Sequence, residues 1–220
     1  MKLVGFGCSF TFGSELLDPS LKDNQDFYYL NKKYRENKVW LGQLAKYFDA
    51  EMDNLSQPAN SNYAIAQQIA EYVRKNNDSL HDVVICVAYT EKTRMSWYGK
   101  EWVHNGIAGE QKGFFSSAKE WVNTCTIDSH NLFTENTKLI VNSICKVKNI
   151  PLIQFNALGT HPPSDYENYF IDGASMDSFL KQEQEKLDKN FFAKGGHPNE
   201  EGHEFFTKRL YNFAKERIIL

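Results

Sequence analysis

The sequence predicts an α/β domain, a mostly parallel sheet between two layers of helices in three-layer α/β/α form. Three observations carry the prediction. Strand-like and helix-like segments alternate four times along the chain, the pattern of a parallel sheet with crossover helices. The run Val83-Val84-Ile85-Cys86-Val87-Ala88 is apolar without a break, as a central parallel strand covered on both faces requires. The first apolar run, beginning at Lys2, stops abruptly in small residues, Gly7-Cys8-Ser9, as a strand feeding a tight turn does. No repeat, linker or low-complexity run divides the 220 residues, so one domain over 1–220 is expected, with an aromatic-rich insertion at about 90–127.

Taken in order, the first strand begins at Lys2 and has Ser9 at its carboxyl end, and 14–37 is polar enough to be a long loop with one helical turn. Trp40 to Phe48 has apolar residues at helical spacing. Glu51 to Ser56 is a weakly signalled second strand. Pro58-Ala59-Asn60-Ser61-Asn62 is a turn, and Ser61 or Asn60 caps a helix whose inward positions are Ile65, Ile69, Tyr72 and Val73. Asp82 to Tyr89 is the third strand. The insertion, with Trp97, Tyr98, Trp102, Phe114, Phe115 and Trp121, shows no clean period. Asp128-Ser129 opens a helix to about Lys148 with Leu132, Phe133, Leu139, Ile140, Ile144 and Cys145 inward. Pro151 to Phe155 is the fourth strand, and 157–174 is a loop containing His161. Met176 to Lys189 is a charged surface helix. The last helix follows Pro198 and puts Phe206, Leu210, Phe213 and Ala214 on one stripe. The expected strand order is 2-1-3-4.

Composition narrows the function. Net charge is −3, and no Lys/Arg cluster stands out, so binding of nucleic acid through a basic face is disfavoured. No apolar run approaches a membrane span, and the N-terminal run is interrupted too early for a signal peptide. Cys8, Cys86, Cys125 and Cys145 are scattered without a C-x-x-C pair, as buried reduced thiols are. Synthesis in a reducing cytosol follows. His197, Glu201 and His203 are close in sequence but lack metal-ligand spacing. Gly5-x-Gly7 lacks the third glycine and the acidic residue of a dinucleotide site. Neither a metal nor a cofactor is called for.

Two stretches carry chemistry. Ser9 stands at the carboxyl end of the first strand, where ligands bind in open α/β sheets. Gly7 would allow a tight turn there and Gly13 would release the chain again. A nucleophile needs that placement, exposed and beside a donor for the oxyanion it creates. Near the other end, Gly195-Gly196-His197-Pro198-Asn199 offers a base of near-neutral pKa. Together the two stretches resemble the SGNH (GDSL-type) hydrolases. Gly7-Cys8-Ser9-Phe10-Thr11-Phe12-Gly13 resembles the first block, G-D-S-x-T-x-G, and His197-Pro198-Asn199 with Gly202 resembles the last. The resemblance implies a flavodoxin-like sandwich and a serine esterase with Ser9 as nucleophile and His197 as base. It also implies an oxyanion hole from the Ser9 and Ala59 N–H groups with Asn62 or Thr90 as a further donor. Ala59 stands where the family has glycine, and its N–H serves if the local φ is not positive.

Two departures matter. The third block, G-x-N-D, is absent, since the chain reads Ala88-Tyr89-Thr90-Glu91 after the third strand. The family's acid, three residues before the histidine, is Lys194 here. A backbone carbonyl, or a carboxylate such as Asp172, Asp177 or Asp188, would then have to fix the His197 ring. The block around Ser9 also resembles a variant of bacteriophage proteins, which implies an O-acetylated surface glycan as substrate and action on a virion. The partner is thus a small-molecule or glycan acyl ester, without nucleic acid or membrane. The aromatic insertion reads as core, as homo-oligomer contact, or as a lid or sugar platform. The rival reading is a weakened or inactive SGNH-like domain that binds carbohydrate or builds a virion.

Overall fold

The computed structural model describes residues 1–21, 31–98, 102–105, 127–159, 166 and 169–217. Its main sheet has five strands, β1 (Lys2–Phe6), β2 (Glu51–Asn54), β3 (Val83–Tyr89), β6 (Leu152–Asn156) and β7 (Tyr169–Ser175). Their order is β2-β1-β3-β6-β7 and every pairing is parallel. The predicted order 2-1-3-4 therefore holds, with one more strand at the far edge. Two further strands, β4 (Met95–Tyr98) and β5 (Trp102–Asn105), form a separate antiparallel pair. The helices are α1 (Ser9–Phe12), α2 (Lys32–Lys38), α3 (Trp40–Tyr47), α4 (Asn62–Lys75), α5 (Ile127–Val147), α6 (Met176–Leu187) and α7 (Glu200–Ala214).

The sheet is covered on both faces because its strands are apolar on both faces. Along β1, Leu3 faces one layer while Val4 and Phe6 face the other, the two-residue alternation of a strand. The first layer packs Leu3, Cys86, Ile153 and Phe155 against Trp40, Leu41 and Leu44 of α3 and Phe206 and Leu210 of α7. The second packs Val4, Phe6, Ile85 and Val87 against Ile65, Ile69 and Val73 of α4 and Val141 and Cys145 of α5. Each such side chain taken out of water contributes about 1.5–3 kcal/mol before chain entropy is set against it. Gly5 is required by this packing: a Cβ there would lie 2.2 Å from Leu41 Cδ2.

Several expectations are corrected. The loop over 14–37 contains α2, whose sequence Lys-Lys-Tyr-Arg-Glu-Asn-Lys has no apolar stripe; its inward residue is Arg35, which lies over the Phe12 ring. The loop over 157–174 contains β7, an edge strand with little continuous apolar character. Part of the insertion forms the β4–β5 pair. On α5 the expected inward face holds at Ile144 and Cys145, which pack in the core, and fails at the other four positions. Leu132, Phe133, Leu139 and Ile140 are exposed, while His130, Thr134, Thr137, Lys138, Val141 and Cys145 are buried. The polar side of α5 is held inward by its own bonds, including Thr134 with Asn62, Thr137 with the Phe133 carbonyl and Lys138 with Glu135. Cys8, Cys86 and Cys145 are free and buried. Cys125, Phe114, Phe115, Trp121 and His161 lie outside the described residues.

Candidate active site

The carboxyl ends of β1, β2 and β3 meet at one edge of the sheet, and the three loops that leave them build the site. After β1 the chain passes through extended Cys8 straight into α1, so Ser9 is the first helical residue. The first amides of a helix have no intrahelical acceptor, so the Ser9 N–H belongs to that set. Thr11 and Phe12 amides both donate to the Cys8 carbonyl, and Gly13, at φ 80, ends the helix after one turn. Gly13 thus has the left-handed conformation that favours glycine. Gly7 serves differently from the expectation. Its need is for space: a Cβ there would stand 2.3 Å from Thr11 Oγ1 and 3.1 Å from the Ala88 carbonyl oxygen. Ser9 itself is buried, at 7% exposure, where the sequence led to an exposed position.

The loop after β2 is tied to this turn. The Gln57 N–H donates to the Gly7 carbonyl at 3.1 Å, and Asn60 Nδ2 approaches the same oxygen at 3.3 Å. Both neighbours of the Pro58-Ala59 pair therefore touch the residue two before Ser9. Asn54 Nδ2 adds a bond to the Thr11 carbonyl at 2.7 Å. Ala59 has φ 60. This overturns the condition under which Ala was expected to replace glycine: the turn keeps the left-handed backbone glycine favours, and Ala59 is held in it. Among the other positive-φ non-glycine residues, Asp49, Asn149 and Asp188 follow helix ends, where such backbone is ordinary, and Ile171 sits in the irregular β7. Ala59 and Glu15 have no such explanation from a preceding helix of ordinary length.

Asn62 is placed differently from the expected oxyanion donor. Its Nδ2 donates to the Thr90 carbonyl at 3.1 Å and reaches Thr134 Oγ1 at 3.5 Å, while its Oδ1 accepts from the Thr90 N–H at 2.8 Å. It clamps the end of β3 to the start of α4, and serving an oxyanion would require breaking that clamp. Thr90, the alternative donor, has its backbone spent in the same pair.

The His197 ring is held by a residue the sequence did not single out. Its Nδ1 lies 2.8 Å from Glu15 Oε2, and that oxygen also accepts from the His197 N–H at 3.1 Å. The second oxygen, Oε1, accepts from the Gly195 N–H at 2.7 Å. A Cβ on Gly195 would fall 2.6 Å from both carboxylate oxygens, so the first glycine of the pair is required by Glu15. Gly196, at φ 87, makes the turn, closed by Ala193 N–H to the His197 carbonyl. Burial pushes the Glu15 carboxyl up, but the His197 ring and the two backbone donors outweigh it, so Glu15 lies below its usual range and is ionised at neutral pH. An ionised carboxylate only accepts, so in the neutral His197 ring the proton is on Nδ1 and the lone pair on Nε2. The ring also packs on Phe10, the residue after Ser9, at 5.6 Å between centroids.

The carboxylates expected for this role are elsewhere engaged. Asp177 pairs with Lys181 at 2.8 Å and Asp188 caps the end of α6. The Asp172 side chain lies outside the described ones. Lys194 is exposed. The one signal for Glu15 was indirect. With Lys at the acid position, a backbone carbonyl or a carboxylate from another loop was needed, and Glu15 follows Gly13, the end of the Ser9 turn, by two residues. His203 is turned into the core, where its Nδ1 accepts from the Trp40 N–H at 3.2 Å and burial lowers its pKa to about 3. Among the described residues, no group of three metal-ligating side chains converges, and no helix is long and apolar enough to cross a membrane.

The chain matches no protein-family model and no curated protein. Solved structures do resemble it. TesA superposes with a TM-score of 0.54 at 9% identity, over 99% of this chain and 100% of that one. A family two carbohydrate esterase from Cellvibrio japonicus gives 0.51 at 11% identity over 98% of this chain. Another carbohydrate esterase gives 0.50 at 15% over 99%. The chain spans 60% and 65% of the lengths of these two esterases respectively. At these identities the likeness is one of fold alone, the mostly parallel α/β sandwich that this chain shares with these structures.

Proposed function

We propose that the protein is a serine esterase in which Ser9, His197 and Glu15 form the catalytic triad. The observation that carries this reading is the Glu15 carboxylate on His197 Nδ1, because it leaves the Nε2 lone pair as the ring's only base. Nε2 takes the Ser9 hydroxyl proton as Oγ attacks the acyl carbon. The resulting imidazolium is stabilised by Glu15, which stays ionised, as the acid of a Ser-His-Asp triad does. Nε2 then returns the proton to the leaving alcohol, and a water repeats the sequence to release the acid. The Ser9 N–H, a first-turn helix amide with no intrahelical acceptor, receives the negative oxygen. Asn62 supports the site at one remove, by fixing the Thr90 end of β3.

The substrate we propose is an acyl ester on a small molecule or a glycan. The carbohydrate esterases among the structural neighbours support the glycan. Glu15 also removes one of the two motives for an inactive domain, the missing acid; the missing third-block Asn is the other. Hydrolysis of 4-nitrophenyl acetate by the purified chain, beside Ser9→Ala, tests the proposal. Turnover by the wild type that Ser9→Ala abolishes is the expected result. Equal turnover by both proteins, or none by the wild type on a broad acyl panel, would refute it.

A further inference from the structure

A second concavity opens beside the carboxyl end of β3, between the first turn of α4 and the start of α5. It encloses about 310 Å³, at the small end for ligand sites. Asn62, Lys92, Arg94 and His130 line it together with Tyr63 and Phe133. No carboxylate lines it among the described residues, so its two fixed charges are both positive. Arg94 Nη1 is shut off from solvent and has no hydrogen-bond partner among the described residues. A buried guanidinium donor left without an acceptor is costly, and an oxyanion entering the cavity would satisfy it. Lys92 Nζ is fixed by neutral Asn131 Oδ1 at 2.8 Å, which leaves its charge uncompensated by that bond. Burial and then Lys92 lower the pKa of His130, against an opposing pull from Glu91, so the imidazole is neutral and adds no charge. The nearest acid in sequence, Glu91, spends Oε1 on the Lys92 N–H.

The cavity also has an apolar side. Tyr63 and Phe133 are 57% and 53% exposed, which gives a ring flat area to pack on. Ser61 lines the same cavity and is two residues from Ala59, a separation of at most about 7 Å of chain. The loop after β2 therefore borders both this cavity and the turn that carries Ser9.

We propose that this cavity binds a carboxylate or phosphate group carried on a sugar ring of the substrate, with Arg94 and Lys92 as the counter-charges. The proposal rests on the esterase reading only for the position of the ester. It assigns the protein to acidic rather than neutral acylated sugars. Arg94 supplies a planar pair of donors that fits either group.

The test is an NMR titration of the full chain at low ionic strength with glucuronate, glucose 6-phosphate and glucose. At least one acidic sugar should saturate at a concentration about tenfold or more below that of glucose, the scale of a charge-assisted hydrogen bond. Arg94→Gln should bring the two within about twofold, and added salt should weaken binding of the acidic sugar only. Preference for glucuronate alone would identify a carboxylate, and preference for glucose 6-phosphate alone a phosphate. If Arg94→Gln does not fold, Lys92→Gln carries the test and should reduce the preference. Ser9→Ala should bind as the wild type does, so a protein that binds acidic sugars but hydrolyses no ester refutes the esterase and leaves this site standing. Equal binding of all three sugars, a preference that survives Arg94→Gln, or one that Lys92→Gln leaves undiminished, would overturn the proposal.

Discussion

Replacing Glu15 by Gln changes one atom of the site and separates its two duties. The carboxylate accepts three hydrogen bonds, from Gly195 N–H on Oε1 and from His197 N–H and Nδ1 on Oε2. Gln has one accepting oxygen. If that oxygen faces His197, its NH₂ meets the Gly195 N–H and a donor is left facing a donor. If it faces Gly195, the NH₂ meets Nδ1 and forces the proton to Nε2, where no base remains. Either arrangement removes the charge that stabilises the imidazolium. The matching change in a serine protease lowers kcat by about 10⁴, so a fall of roughly 10³–10⁴ is expected here. Loss of one charge-assisted bond at a half-buried carboxylate should cost about 1–3 kcal/mol of stability. The assay is kcat and KM on 4-nitrophenyl acetate with a urea midpoint for each protein. A fall in kcat with KM nearly unchanged, in a folded protein, is the expected result. Full kcat in Glu15→Gln beside an inactive Ser9→Ala would refute the assignment of Glu15, because His197 would then be oriented by something else.

Other substitutions probe the backbone and the core. Ala59→Gly should raise stability by roughly 0.5–1 kcal/mol, because Ala is held at φ 60, without lowering kcat; a less stable variant would contradict the strain argument. Gly7→Ala should destabilise by about 1–3 kcal/mol, since its Cβ would press on Thr11 and on the Ala88 carbonyl, and an unchanged denaturation midpoint would mean that the turn adapts freely. His203 is neutral in the fold, with a pKa of about 3 against 6.5 when unfolded, so its contribution is present above pH 6.5 and is lost as pH falls toward 3. Between pH 7 and 5 the wild type should lose roughly 2 kcal/mol that His203→Gln does not; identical pH dependence of the two would exclude His203 as the cause. Glu15, lowered from 4.5, adds a contribution present above that value and lost as pH falls below it, so below pH 4.5 the two losses overlap.

How much of this was legible depended on whether the signal was local. The β1, β3 and β6 strands were, because burial on both faces leaves an apolar run. The start of α4 was legible too, since Ser61 accepts from the Ala64 N–H as a cap should. Helix α2 was not, because its inward contact is an arginine on an aromatic ring rather than an apolar stripe. Four of the six inward positions on α5 were misassigned, because apolar residues occur on two sides and the side taken carries the bond of Thr134 to Asn62 of α4. In the site, Ser9 and His197 were legible as motifs. Glu15 was not, because 182 residues separate it from His197 and only the fold brings the two loops together. The role of Asn62 turned on the same kind of fact. An amide near a helix start reads equally as an oxyanion donor or as a clamp, and only its partner at Thr90 decides.

The central claim is that Ser9 is a nucleophile activated by His197. It is tested most directly by treating the protein with an alkyl fluorophosphonate and mapping the adduct by peptide mass spectrometry. A single phosphonyl group on Ser9 is expected, formed at a rate that drops by orders of magnitude in His197→Gln. An unlabelled Ser9 in a protein that still hydrolyses esters, or labelling unaffected by His197→Gln, would contradict the account.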